Sequence, residues 1–247
     1  MIEAVVWGFL GGFAMLLGAF IGFRTHPSSA IVGRVMAFGA GTLVCAVTLE
    51  LTLEAFDEAR GAVFVLGLLA GTGAYYLGDR IIERRLGTID IDAEPGDADA
   101  PEMGNALKVV LGSVLDGVPE SAAIGLSIAS GGTVSVALLV AVFVSNVPEG
   151  LMPSLDMEAS GISRRRIYGM WFALAIVCTL SSVFGYAVLG SLPDPIDAFA
   201  EAFAAGAILT MLVMVFLVEA VQRAGRAVGI WTILGYALAT LLTVIQR

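Results

Sequence analysis

Apolar residues form long runs in this chain, and short polar stretches separate the runs. Most runs reach the roughly 20 residues that an α-helix needs to cross a hydrocarbon core of about 30 Å. Matching the runs to the polar breaks predicts eight membrane-spanning helices. The predicted spans cover residues 2–23, 30–55, 62–79, 104–130, 132–157, 166–190, 197–221 and 228–246.

Composition supports the same interpretation. Of the 247 residues, 58% are hydrophobic and only 14% are charged, whereas soluble domains have about 45–50% apolar and about 25% charged residues. We therefore predict an all-α membrane protein with a single transmembrane domain over residues 1–247, embedded in a lipid bilayer. The net charge of −9 argues against nucleic-acid binding. Cys45 and Cys178 lie inside predicted spans, where packing as small apolar residues is expected rather than a disulfide.

The basic residues predict an orientation. Eleven of the thirteen Lys and Arg residues fall on the loops after spans 1, 3, 5 and 7. Such loops are cytoplasmic by the positive-inside rule, so both termini of this multi-pass cell-membrane protein are expected outside the cytoplasm. The connection over about residues 80–103 is rich in acids, Pro and Gly, and is predicted to be a solvated cytoplasmic loop.

Spans 2 and 7 resemble each other. The segments Ala37–Ala59 and Ala202–Ala224 lie 165 residues apart and share seven identical positions. Because spans 2 and 7 cross the membrane in opposite directions, the repeat is inverted, as in secondary transporters. We expect a 3+2+3 arrangement, in which repeat units of about 1–79 and 166–247 enclose the central helices of 104–157.

Each central span contains a Pro-Glu pair, at Pro119-Glu120 and Pro148-Glu149. Proline frees a backbone carbonyl, which is tolerable in lipid only where buried polar groups, ions or water satisfy it. A charged residue inside a span costs a few kcal/mol and by default indicates function. The alternative is that the prolines only kink their helices and the acids pair with arginine at an interface.

Other polar residues share these helix faces. Asp116 lies four residues before Glu120, and Asn146 lies three residues before Glu149. If the faces meet, three carboxylates and one amide oxygen form a site that requires a cation or protons. Oxygen ligands suit hard or borderline divalent ions better than soft ones. Two serines lie near enough to add hydroxyls or hold water, Ser113 and Ser145.

At these motifs the chain resembles the ZIP family of divalent metal transporters, whose fourth and fifth helices carry a His-Asn-x-Pro-Glu-Gly pattern that lines a binuclear site. Eight spans, outside termini, a long cytoplasmic loop after span 3 and Ala-Gly-rich openings of spans 2 and 7 also fit that family. The resemblance implies transport of a divalent ion of the Zn, Mn, Fe or Cd class by alternating access, without a cofactor or enzymatic activity.

The chain departs from the family pattern at several positions. Asp116 and Ser145 occupy the family's histidine positions, Gly117 and Asn146 follow them, and Ser121 replaces the first motif's glycine. Loss of imidazole weakens the preference for Zn²⁺. The chain's single histidine, at position 26, lies in a loop and is expected to be solvated.

The second metal position of the family also looks depleted. Val215 occupies a position where some members have glutamate, so one metal per chain is expected. The repeat offset relates Val215 to Glu50, which lies four residues before Glu54. We expect Glu50 to line the path from the opposite repeat, or both glutamates to collect cations at the outer mouth. Glu219 is expected to pair with Arg223 near the cytoplasmic end.

Two other function classes remain open. A membrane-embedded metal-dependent hydrolase would use the carboxylates to activate water, although the chain has no His-Glu-x-x-His helix. A non-transporting regulatory protein of transporter descent would retain the fold without ion flux. The Gly-rich spans also allow a homodimer. Glu201 is expected on an outer loop, away from the ion path.

Overall fold

The computed structural model describes residues 1–52, 61–86, 102–129 and 135–246. Within these ranges all regular structure is helical, which confirms the all-α prediction. The α-helices are α1 Ile2–Thr25, α2 Ser29–Ala46, α3 Ala62–Leu86, α4 Glu102–Ala129, α5 Val136–Ala159, α6 Arg164–Ala187, α7 Asp194–Met211, α8 Leu217–Ala224 and α9 Val228–Gln246.

Seven segments of the described residues are long and apolar enough to cross a membrane, as a multi-pass membrane protein requires. The first six correspond to predicted spans 1–6. The seventh, Pro195–Ile245, is a continuous stretch of 51 residues that contains predicted spans 7 and 8. Gly225 interrupts it with a φ of 56°, between α8 and α9. A left-handed φ of this kind favours glycine, because it has no Cβ.

Two helix ends differ from the predictions. Helix α3 continues to Leu86, seven residues past the predicted end, because basic residues in its last turn interact favourably with the helix C-terminus. Helix α7 already begins at Asp194, with Pro195 in its first turn, a position that proline favours. Glu201 therefore lies inside α7 and is 1% exposed, so the expectation of an outer loop is wrong. Residues 87–101 of the predicted cytoplasmic loop lie outside the described residues.

Glycine lets several helix pairs approach to backbone contact. A Cβ at Gly41 in α2 would lie 1.9 Å from the carbonyl oxygen of Thr232 in α9. A Cβ at Gly206 in α7 would lie 2.1 Å from the carbonyl oxygen of Leu68 in α3. Small residues drive close packing of this kind in membranes, where lipid provides no hydrophobic force between helices.

The contacts between helices occur in matching pairs. The two halves correspond when α1, α2 and α3 are exchanged with α6, α7 and α9, and α4 is exchanged with α5. The contact of α1 with α5 then matches that of α6 with α4, and the contact of α3 with α7 matches that of α9 with α2. The contacts of Gly41 and Gly206 correspond under this exchange. Two π-helical turns, Val47–Thr52 after α2 and Leu212–Phe216 after α7, begin 165 residues apart. The offset found in the sequence is thus also an offset between structural features.

Smaller predictions can be compared with the same structure. Cys45 and Cys178 are free and buried, which confirms that they pack as apolar residues. His26 is exposed and follows α1 with a φ of 45°, which confirms its solvated position.

Candidate metal site

Helices α4 and α5 continue through their Pro-Glu pairs. Pro119 lies inside α4, while α5 contains Pro148 and also Pro153. Since proline supplies no N–H, each one leaves a carbonyl of the preceding turn without its helical donor. Helix α6 supports the backbone beside Pro119, because the Ser181 hydroxyl donates to the carbonyl oxygen of Val118 at 2.7 Å.

The carboxylate oxygens of both Pro-Glu pairs are buried and have no hydrogen-bond partner in the described part of the chain. Glu120 is 0% exposed. Neither of its carboxylate oxygens has a hydrogen-bond partner among the described residues, and the same holds for both oxygens of Glu149. The charges that act on Glu149 come from three other acids, Asp116, Glu120 and Glu219. Pairing of the two glutamates with arginine, the alternative expected from the sequence, is therefore absent from the described part of the chain.

Asn146 adds a fifth unpartnered oxygen. Its side chain is 1% exposed, and Nδ2 donates to the carbonyl oxygen of Gly11 in α1 at 3.1 Å. This bond fixes the amide and leaves Oδ1 buried without a partner in the described residues. Five buried acceptor oxygens on three side chains thus have no donor within the described ranges. Burying such groups is costly unless a cation or a proton satisfies them.

Of the remaining predicted site residues, the structure describes the two serines fully and Glu50 only in its backbone. Ser145 is 0% exposed and donates its hydroxyl proton to the carbonyl oxygen of Val142 at 3.0 Å, which leaves its lone pairs as potential ligands. Ser113 is also buried. The backbone of Glu50 lies in the first π-helical turn, but its side chain and the whole of Glu54 lie outside the described residues. The role of Glu50 stays a prediction.

Asp116 has a partner that the sequence analysis missed. The Tyr75 hydroxyl, on α3, donates to Asp116 Oδ1 at 2.6 Å, and Tyr75 is 3% exposed. Asp79 and Glu219 also act electrostatically on Asp116. The sequence shows that Tyr75 and Asp79 lie one helical turn apart in a mostly apolar span, but this spacing does not indicate a contact with Asp116.

Glu219 confirms one prediction and extends it. Arg223 donates to Glu219 Oε1 from Nη2 at 2.7 Å and from Nε at 2.9 Å, so the expected pair forms. Glu219 also interacts electrostatically with Asp116 and Glu149. It therefore lies closer to the central carboxylates than its position near a predicted span end indicated.

The three central carboxylates are neighbours, but they do not converge. Within the described ranges, no group of three or more His, Cys, Asp or Glu side chains could hold a metal ion as it stands. The structure thus brings Asp116, Glu120 and Glu149 within electrostatic reach of one another. It turns Asp116 toward Tyr75 in α3.

Comparison with known proteins gives one informative relative. No protein-family model matches the chain. The chain is 26% identical over 226 residues to an Arabidopsis thaliana protein described as a "putative zinc transporter". The match covers 84% of this chain and 33% of the plant protein. The chain therefore spans about a third of that relative's length.

Proposed function

We propose that this protein transports divalent metal cations across a membrane and binds them between α4 and α5. The five unpartnered, buried oxygens of Glu120, Asn146 and Glu149 are the observation that carries the proposal. Asp116 would complete the ligand set. Secondary contributions are assigned to Ser113, Ser145 and Glu50. The name of the plant relative describes a transporter rather than an enzyme, which supports transport over a membrane-embedded hydrolase.

The packing symmetry supports an alternating-access mechanism. The stretch Pro195–Ile245 would be about 75 Å long as one helix, more than twice the hydrocarbon thickness of a bilayer. We therefore propose that the break at Gly225 is a turn between two spans. Eight spans would place both termini on the same side, which the basic loops predict to be the outer one. The repeat units of about 1–79 and 166–247 would rock against the central helices of 104–157 and expose the site to each side in turn.

The ligand chemistry bears on the ion. An all-oxygen set accepts Mn²⁺, Fe²⁺, Zn²⁺ or Cd²⁺ without the selectivity for zinc that imidazole and thiolate ligands give. The relative's description names zinc. We propose one ion of this class per chain, in a divergent ZIP-like protein whose site histidines are replaced by oxygen ligands.

The glycines that pack helices together do so within one chain, so they give no support to the possible homodimer. Gly18 and Gly150 lie in the contact between α1 and α5, where added Cβ atoms would lie 2.0 Å and 2.1 Å from the carbonyl oxygens of Val147 and Met15. Gly41 and Gly206 are likewise used within the chain. The dimer stays a prediction.

Flux into proteoliposomes tests the proposal. Purified protein is reconstituted, and uptake of Zn²⁺, Mn²⁺, Fe²⁺ and Cd²⁺ is measured beside Glu120→Gln and a control, Glu83→Gln. Glu83 lies at the end of α3 and pairs with Arg80 in a half-exposed ion pair. We expect flux from the unaltered protein and from the control only. Folded protein that moves none of the four ions would favour the regulatory alternative and refute transport.

A further inference from the structure

Tyr75 connects an outer helix to the candidate site. Its hydroxyl, on α3, donates to Asp116 Oδ1 on α4 at 2.6 Å. The ring is 3% exposed, whereas the neighbouring Tyr76 is 42% exposed and its hydroxyl accepts from Arg80 Nε at 3.2 Å. Two adjacent tyrosines of one helix thus have hydroxyls in separate environments, and only the first contacts a candidate ligand.

The hydrogen bond distinguishes Asp116 from the two central glutamates. Glu120 and Glu149 present oxygens without any partner in the described residues, while Asp116 already accepts a short bond from a neutral donor. A hydrogen bond to a charged group is stronger than one between neutral groups. A carboxylate oxygen has two lone pairs, so the bond does not by itself exclude a metal from Oδ1. It holds the carboxylate toward α3, where Asp116 forms no metal-holding group with the two glutamates of the described residues. A cation bound to Glu120 and Glu149 therefore gains Asp116 as a ligand only if this carboxylate turns away from Tyr75.

The bond also joins two parts of the protein that differ in packing. Helix α3 packs mainly on α7, and its contact with α4 is smaller. That contact includes Gly78, where an added Cβ would lie 2.9 Å from Leu115 Cδ1. Tyr75 therefore supplies a specific polar link between a helix of the outer repeat and a helix of the central pair.

We propose that Tyr75 is a positioning residue, whose hydrogen bond holds Asp116 toward α3 in the metal-free protein. When a divalent cation binds Asp116, this hydrogen bond breaks. The contact between α3 and α4 is weakened as a result. The inference rests on the proposed function and deepens it. In this proposal, the hydrogen bond between Tyr75 and Asp116 couples ion binding to movement of the outer repeat.

Matched tyrosine variants test the proposal by equilibrium binding. Cd²⁺ affinity is measured calorimetrically for the full chain in detergent, for Tyr75→Phe and for Tyr76→Phe. Removal of the competing hydrogen bond should lower the Cd²⁺ dissociation constant of Tyr75→Phe about 5- to 10-fold, while Tyr76→Phe stays within about twofold. An unchanged or raised dissociation constant in Tyr75→Phe would overturn the proposal, since a purely structural tyrosine would not tighten binding when lost.

A second measurement avoids dependence on the folding of the variant. The protein is labelled with 3-fluorotyrosine, and the ¹⁹F resonances of Tyr75 and Tyr76 are assigned from the two Phe variants. Addition of Cd²⁺ should shift the Tyr75 resonance and leave that of Tyr76 in place. If Cd²⁺ binds and the Tyr75 resonance does not move, the hydrogen bond survives metal binding and the proposal is wrong.

Failure of this inference can be told apart from failure of the proposed function. If the unaltered chain binds Cd²⁺ and Glu120→Gln abolishes binding, the metal site stands, and the two tyrosine tests decide on Tyr75 alone. If the unaltered chain binds no Cd²⁺, the metal site and the role of Tyr75 are both refuted.

Discussion

Glu219 in the outer helices and the Pro-Glu glutamates in the central helices are held in different ways. In the outer unit, Glu219 is paired with Arg223. In the centre, Glu120 and Glu149 have no partner among the described residues. An acid paired with arginine stabilises the fold, whereas a buried acid without a partner is the place to look for function.

The packing of the two regions differs as well. The outer helices meet one another through glycines at backbone contact, as Gly41 does against Thr232, and α5 meets α1 in the same way at Gly150. The central helices α4 and α5 have few direct contacts with each other and pack instead on α6 and on α1. Each of α4 and α5 therefore contacts an outer helix more extensively than it contacts the other central helix.

Neutralising one central acid should give the largest effect. Glu120→Gln removes a charge that a bound cation would need, and we expect flux to fall by a factor of about 100 or more. The same change removes an unpaired buried charge, so the metal-free variant should melt at a higher temperature than the unaltered chain. Proteoliposome uptake and thermal melting in detergent measure the two effects. A variant with lower flux and lower melting temperature would indicate that Glu120 has a structural role.

Adding a methyl group at an outer glycine should act on stability. Gly41→Ala and Gly206→Ala place a Cβ about 2 Å from a carbonyl oxygen, which forces the helices apart at a cost of about 1–3 kcal/mol. Gly73→Ala is the matched control, because a Cβ there meets nothing within 4 Å. Melting curves measure the difference. Equal stability of all three variants would contradict the close-packed contacts.

The outer region was the easier one to predict from sequence. Long apolar runs predict the helices, and the sequence repeat that begins at Ala37 has the same offset as the two π-helical turns, which themselves were not predicted. The Pro-Glu pairs identified the central helices because a glutamate in an apolar span is rare. The sequence could not predict which side chains of distant helices contact each other. Tyr75 in an apolar run is typical of a buried ring, and nothing local relates it to Asp116.

Burial of acids outside the centre was also misjudged for a physical reason. Glu201 was expected on an outer loop. Helix α7 begins at Asp194, about two turns before that position, and packs along α3, so the side chain is covered. Likewise, the pairing of Glu219 with Arg223 follows from their spacing of one turn, while the approach of Glu219 to the central acids depends on tertiary packing.

Two substitutions at Asn146 distinguish a role as metal ligand from a role in positioning. Asn146→Ala removes Oδ1 and should weaken Cd²⁺ binding about 10-fold. Asn146→Asp keeps an oxygen but loses the donor to Gly11, and should bind at least as tightly as the unaltered chain. Calorimetry compares them. Equal weakening in both variants would show that the hydrogen bond to Gly11, not the oxygen, is what binding needs.

Loss of the outer ion pair should have the smallest effect. The side chains of Arg223 and Glu219 are 14% and 24% exposed, so solvent screens part of their attraction. Arg223→Gln should lower the free energy of unfolding by about 1 kcal/mol or less, and less still in high salt. Melting at two ionic strengths measures it. A loss of several kcal/mol would show that the pair is a main structural link rather than a modest one.

The central claim is that the unpartnered oxygens of α4 and α5 bind a divalent cation. A crystal structure of the protein soaked in Cd²⁺ or Mn²⁺, with anomalous density collected for the metal, tests it most directly. The account predicts a peak bonded to Glu120 and Glu149, with Asn146 Oδ1 as a further ligand and Asp116 turned away from Tyr75. Metal-loaded protein whose density lies elsewhere, with both glutamates unchanged, would contradict it.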